Sequence, residues 1–232
     1  MNPEAKHREQ LAKEYQLRFA AQREYREAVW RVLTAQVFQQ FVPRDGTVVD
    51  VGCGWGEFIN NVTAANKFAI DLNPDAAQRV NSDVQLLQQD CSVDWPLHEH
   101  SVDCVFTSNF FEHLRMKDAV EDTLAEAFRC LRPGGQIVCM GPNVRLLPGE
   151  YWDFWDHNLA LTDRSLAEVL QLTGFAIERS IPQFLPHRMS GRRELPVFFV
   201  PLYLMLPLIW RLFGKQFLIV ARKPQTNAWT FR

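Results

Sequence analysis

Three glycines at alternate positions, Gly52, Gly54 and Gly56, follow the run Val48-Val49-Asp50-Val51. β-Branched residues leading into an acid and then into glycines describe a buried strand that ends in a tight turn. Lacking a Cβ, glycine lets the backbone come close to a ligand and tolerates the dihedrals of such a turn. The G-x-G-x-G spacing differs from the G-x-G-x-x-G of a dinucleotide fold, and no Lys-Ser/Thr pair marks a phosphate loop. A second acid, Asp71, lies 17 residues beyond Gly54, at the end of Phe68-Ala69-Ile70. A carboxylate there can accept hydrogen bonds from both hydroxyls of a ribose and would repel a phosphate. A third, Asp90, follows the apolar run Val84 to Leu87 and precedes Cys91. A carboxylate followed by a free backbone N–H can read the edge of adenine. The segment from Ser108 to His113 then gathers Asn109, two phenylalanines, Glu112 and His113 after the run Val102 to Thr107.

The elements that must position these residues follow from periodicity. Residues 4 to about 41 carry Leu11, Tyr15, Phe19, Leu33, Val37 and Phe41 at roughly helical spacing and are expected to be helix, broken once. Strands are expected at Val48–Val51, Phe68–Asp71, Val84–Leu87, Val102–Thr107, Gln136–Met140, Ala176–Ser180 and Phe217–Ala221. Helices are expected from Gly56 to about Ala65, after the Asn73-Pro74-Asp75 cap, from Lys117 to about Leu131, and from the Thr162 cap to about Leu172. Strands alternating with helices in this way predict an α/β fold: a Rossmann-like, seven-stranded, mostly parallel sheet with helices on both faces. Ligands of such sheets bind at the carboxyl ends of the strands, which gathers the scattered acids and glycines into one site.

The ordered set VVDVGCGWGEF, AIDLNP, Asp90-Cys91, SNFFEHL, LRPGGQIV and GPN resembles the class I S-adenosylmethionine-dependent methyltransferases, of the methyltransferase type 11 kind. The resemblance covers about residues 45 to 181 plus the terminal strand, and implies an antiparallel last strand. It places the cofactor against Asp50, Gly52, Cys53, Gly54, Gly56, Asp71, Leu72, Asp90, Cys91 and Asn109. A sulfonium methyl is a strong electrophile, so the protein need only align an acceptor and exclude water. An oxygen acceptor of high pKa also needs a general base, for which the candidates are His157, His113 and Glu112. His157 closes Tyr151-Trp152-Asp153-Phe154-Trp155-Asp156-His157, a segment whose rings and carboxylates suit a sugar or a packed cover. Acids and histidines are too scattered along the chain to name a metal-ligand set, and no metal is expected.

From Leu195 to Trp210 no residue is charged; Arg188, Arg192 and Arg193 precede this run, and Arg211 and Lys215 follow it. Sixteen residues interrupted by Pro196, Pro201 and Pro207 are too short and too broken to span a bilayer. Three uses remain open: a patch that dips into a membrane surface, a wall for a lipid-like substrate, or a dimer or cover surface. This C-terminal third resembles bacterial methyltransferases of polysaccharide and glycolipid assembly, which implies O-methylation of a sugar or other small molecule, with an acceptor that could be lipid-linked. Alternatives are C-methylation of a quinone-like lipid and a non-catalytic cofactor-binding partner subunit. The expected organisation is a helical cover over 1–43 and a methyltransferase domain over 44–232, with an apolar insertion at about 186–214.

Lys and Arg (25) nearly balance Asp and Glu (27), giving a net charge of −2, which argues against a general nucleic-acid footprint. The absence of an N/D-P-P-Y/F motif after the fourth strand speaks against an amino-group DNA enzyme. Five cysteines without C-x-x-C spacing fit free thiols in a reducing compartment. The N-terminus has no apolar signal core. The expected location is the cytoplasm, with a peripheral place at the inner face of the membrane as an extension of that expectation.

Overall fold

Seven strands form one sheet: β1 (Thr47–Val51), β2 (Asn66–Ile70), β3 (Val84–Leu87), β4 (Val102–Ser108), β5 (Leu131–Pro142), β6 (Ala176–Ile181) and β7 (Gln216–Arg222). The computed structural model describes residues 3–187 and 196–225. The strand order is β3-β2-β1-β4-β5-β7-β6. β7 runs antiparallel to both β5 and β6, and the remaining pairs are parallel, so the expected sheet and its reversed last strand are both present. Val51 pairs with Ile70 on one side and Thr107 on the other, so β1, β2 and β4 end level. Chain order reverses direction between β1 and β4, which makes the crevice at their carboxyl ends the natural place for a ligand.

Alternation along the strands divides the core in two. Val49, Val51, Val105, Ile137 and Ile219 face one side and pack with Leu124 and Ala127 of α3 (Lys117–Cys130) and Leu166 and Leu170 of α4 (Asp163–Thr173). Val48, Cys104, Phe106, Val138 and Leu218 face the other, against Val29, Leu33 and Phe38. Val29 and Leu33 belong to α2 (Arg23–Leu33), which follows α1 (Pro3–Phe19) across a single 3-10 turn over Ala20–Gln22. The expected break in the N-terminal helix is therefore real, and a π turn over Thr34–Phe38 unwinds its far end. Thr162 caps α4 by accepting from Ser165 N at 3.0 Å, and Gly174 ends it in the left-handed region. All five cysteines are free and buried.

Two expected helices are shorter than periodicity suggests. From Gly54 to Asn61 the chain runs through consecutive turns, holding only isolated helical bonds such as Asn60 N to Gly56 O at 2.9 Å. The side chains of Asn60 and Asn61 donate to the backbone at Arg79 O and Glu57 O, competing with a regular helix ladder. After Asn73, which accepts from Asp75 N, the chain makes a 3-10 helix over Pro74–Gln78 and no more. The apolar segment folds as α5 (Phe199–Leu204) and α6 (Pro207–Phe213), broken ahead of Pro207. Among the described residues no helix is long and apolar enough to cross a membrane. Arg188, Arg192, Arg193 and Leu195 lie outside the described residues.

Candidate active site

The glycine turn does what its composition demands. Gly52, Gly54 and Gly56 have φ values of +71°, +56° and +80°, all in the left-handed region. A Cβ on Gly52 would lie 2.2 Å from the ring of Phe110, and one on Gly54 would lie 2.5 Å from the hydroxyl of Tyr15. Gly54 N donates to Asp71 Oδ2 and Asn73 N donates to Asp71 Oδ1, each at 2.7 Å. One carboxylate thus ties the turn after β1 to the turn after β2. Burial pushes the Asp71 pKa up to about 6 against the pull of those two N–H groups. Asp50 is held well above the usual carboxylate range by burial and by the charges of Asp71 and Glu57.

A cavity of about 490 Å³ opens beside this turn. It runs from Asp50, Gly52 and Cys53 past Ser108 and Asn109 to Glu112, His113 and His157. Asn109 sits at the end of β4 with φ +50°, held by its N–H on Met140 O and by its amide on Ser108 Oγ. Of the ten residues expected at the cofactor, Asp50, Gly52, Cys53 and Asn109 line this cavity. Gly54 is covered by Tyr15, and Gly56 faces a separate groove beside Trp55 and Arg79. Leu72, Asp71, Asp90 and Cys91 do not line the cavity; Asp90 is exposed and accepts from Ser92 N and Oγ, while Cys91 is buried and its sulfur accepts from Thr123.

The three candidate bases meet at the far end. Glu112 and His113 occupy a turn over Phe111–His113 after β4, and His157 follows a turn over Glu150–Asp153 after β5. Backbone bonds hold the two segments together: Asn158 N and Leu159 N both donate to Glu112 O. One oxygen or ring-nitrogen atom from each of Glu112, His113 and His157 lies within 4.8 Å of the others. Residues scattered in sequence are a cluster in space. His113 Nδ1 lies 3.0 Å from Asp156 Oδ2, and Arg18 of α1 donates twice to the same carboxylate, once at 2.8 Å. Burial works against charge on His113, but the Asp156 hydrogen bond and the Glu112 charge outweigh it and raise the pKa. For Asp156, burial is likewise outweighed by His113 and Arg18, which hold the carboxyl far down. His157 packs between Tyr151 and Phe154, at ring separations of 4.7 and 4.8 Å. Burial, and then the charge of His113, lower its pKa to about 4. Its Nδ1 is buried with no hydrogen-bond partner among the described residues. Glu112 is buried too, and burial raises its pKa.

Sequence reading did not anticipate the contribution of α1 and α2. Tyr15, Arg18, Phe19, Gln22 and Arg26 all line the cavity. Tyr15, Arg18 and Phe19 share a face of α1 at i, i+3 and i+4, a signal present in the sequence, while Gln22 in the 3-10 turn and Arg26 of α2 reach the cavity from beyond the break. Arg26 donates to Glu57 Oε1 from Nε at 3.0 Å and Nη2 at 2.7 Å, fixing α2 to the glycine turn.

Residues 49–139 match the family described as "Methyltransferase domain". A Mycolicibacterium smegmatis protein named "Probable S-adenosylmethionine-dependent methyltransferase" is 28% identical over 143 residues, covering 59% of this chain. The chain spans about half the length of that relative, 54%. Among solved structures, a chain from the complex of the Haloferax volcanii Trm112 methyltransferase activator with a methyltransferase superposes with a TM-score of 0.67 at 20% identity, covering 93% of this chain and 98% of that one. A geranyl diphosphate methyltransferase in complex with S-adenosylmethionine gives 0.58 at 17% identity, covering 85% of each chain. At these identities the structural likeness is one of fold.

Proposed function

We propose that this chain, which carries a class I S-adenosylmethionine-dependent methyltransferase domain, methylates an oxygen of a sugar or other small molecule in cell-surface glycan or glycolipid assembly. The observation that carries this reading is one cavity that joins the glycine turn to a cluster of buried Glu112 and His157 with half-buried His113. The residues present fit the cofactor: the positive-φ glycine turn borders the cavity at Gly52, beside Asp50 and Cys53. The carboxylate of Asp71, tied to that turn through the Gly54 N–H but set outside the cavity lining, is placed for the ribose hydroxyls. When bound, S-adenosylmethionine supplies an electrophilic methyl, the C–S electron pair staying on sulfur as the new C–O bond forms. Asp71 and the turn hold and orient, Asn109 borders the reacting end, and the cluster deals with the hydroxyl proton of the acceptor. Carbon methylation also releases a proton, so the cluster serves either chemistry; the rings and carboxylates between Tyr151 and His157 are what favour a sugar hydroxyl. Acceptor screening with radiolabelled cofactor, beginning with lipid-linked sugars, tests it; transfer only to quinone-like lipids would replace it.

Asp71 gives this reading a pH signature. Only the ionised carboxylate accepts from two hydroxyls, so affinity for S-adenosylhomocysteine should fall as pH drops through about 6. At pH 5 calorimetry should find binding about tenfold weaker than at pH 8. The stability contribution of the same group has the opposite sign. Its folded pKa lies above the unfolded value of 3.8, so ligand-free protein gains stability from it as pH falls from about 6 toward 4. Asp71→Ala should bind at least about tenfold more weakly at pH 8 and lose the pH dependence. Wild-type affinity in that variant would remove Asp71 from the ribose site.

Phe198, Leu202, Met205, Leu206, Leu208, Leu212 and Phe213 are exposed on or beside α5 and α6. Val200 of α5 packs in the same core cluster as Val29 and Leu33 of α2, beside the cavity wall. That placement supports a peripheral membrane contact of a cytoplasmic protein, presenting a lipid-linked acceptor to the cavity; self-association is the competing use. Burying a Leu or Phe side chain is worth about 1.5–3 kcal/mol, so changing Phe198, Leu202 and Leu206 to Ser should weaken vesicle binding by at least about a hundredfold. Flotation with anionic vesicles measures it. Wild type remaining unbound, and dimeric by light scattering, would give the face to a second copy.

A further inference from the structure

The geometry points to a mononuclear site for a divalent transition-metal ion formed by Glu112, His113 and His157, at the acceptor end of the cavity. This rests on the methyl-transfer reading above and gives the cluster its chemistry. Each of the three residues offers one ligand atom, and these atoms lie within 4.8 Å of one another. His113 Nε2 and Glu112 Oε1 are 4.0 Å apart. Around an ion bonded at about 2.0–2.2 Å, neighbouring ligand atoms sit about 3–3.5 Å apart, so closure requires only small side-chain movements.

Three independent features ask for a cation here. Glu112 is 3% exposed, and among the described residues the cation recorded beside its carboxylate is His113, at the limit of ion-pair distance. A buried carboxylate with so poor a partner is costly. His157 is 8% exposed, lines the cavity, and has an Nδ1 without a partner among the described residues. Finally, His113 gives Nδ1 to Asp156, which Arg18 holds from the other side. A histidine fixed by a carboxylate through one nitrogen, with the other turned to a cluster, is the arrangement that orients metal-bound imidazoles. Two imidazoles and one carboxylate suit zinc, iron(II), cobalt(II) or manganese(II) better than a hard cation that wants only oxygen. Three protein ligands leave a position for an exogenous oxygen, and a hydroxyl bound there becomes a stronger acid. The preferred acceptor is then one whose hydroxyl can reach the ion, as in a sugar with neighbouring hydroxyls.

The test uses the full chain without an affinity histidine tag, stripped with chelator and titrated with cobalt(II). The expected result is one cobalt retained per chain after desalting, with the visible bands of a low-symmetry site and displacement by zinc. His157→Ala should bind cobalt about a hundredfold more weakly, and Asp156→Asn, which touches His113 but contributes no ligand, about tenfold more weakly. Both variants must keep wild-type affinity for S-adenosylhomocysteine, which shows that they are folded. Cobalt lost on desalting, or retained equally by folded His157→Ala, overturns the site. Titration of the stripped wild type with S-adenosylhomocysteine separates the two readings. Binding there without cobalt retention refutes the metal alone, whereas no binding of either refutes the methyltransferase reading as well.

Discussion

Gly54→Val should bind S-adenosylhomocysteine about a hundredfold more weakly than wild type, the largest loss expected from any single change at the glycine turn. Two effects combine. Gly54 has φ +56°, and a β-branched residue held there costs on the order of 1–3 kcal/mol. The new Cβ would also stand 2.5 Å from the Tyr15 hydroxyl and 2.8 Å from its ring. Tyr15 would have to leave the turn, and with it the α1 side of the cavity. The Gly54 N–H that fixes Asp71 Oδ2 would move as the backbone relaxes, so the ribose carboxylate is disturbed by the same substitution. Gly149→Val is the control: a Cβ there meets nothing within 4 Å and φ is not positive. Calorimetry on the two variants decides the matter. Gly54→Val binding within about threefold of wild type would mean that the turn is not part of the cofactor site.

How much of this was legible in the sequence depends on the range over which each feature is encoded. The sheet, its reversed last strand and the glycine turn are local: β-branched runs set the strands, and positive φ sets the glycines. Asp71 was legible because the short β2 puts it level with the end of β1. The helix expected after Gly56 failed because apolar period alone does not weigh the competing bonds of Asn60 and Asn61. The largest omission was distance. His113 and His157 are 44 residues apart and belong to different strand-end loops, yet their ring centroids stand 5.0 Å apart because β4 and β5 are neighbours. Each histidine alone looks like an ordinary loop residue. Only the sheet order makes them a pair, and only the fold-back of α1 supplies Arg18 behind Asp156.

The same pairing makes His157 the most sensitive position on the acceptor side. His157→Ala should lower turnover by between about a hundredfold and ten-thousandfold, the range for removing a group that acts on the reacting proton, whether directly or through an ion it holds. Affinity for S-adenosylhomocysteine should stay the same, because His157 lies at the opposite end of the cavity from the glycine turn. Removing a buried ring from between Tyr151 and Phe154 also destabilises, by about 2–5 kcal/mol for a large-to-small change in a core. Stability and chemistry must therefore be separated. His157→Gln fills more of the space and keeps a polar tip, so it should recover stability without recovering turnover. Added imidazole should restore part of the turnover of His157→Ala if the missing group acted on the acceptor, and none if the loss was only of packing. A variant with intact cofactor binding and wild-type turnover would remove His157 from the chemistry. The cluster would then be a structural device that joins the β4 and β5 loops, and Glu112 and His113 would have to be tested as its remaining active members.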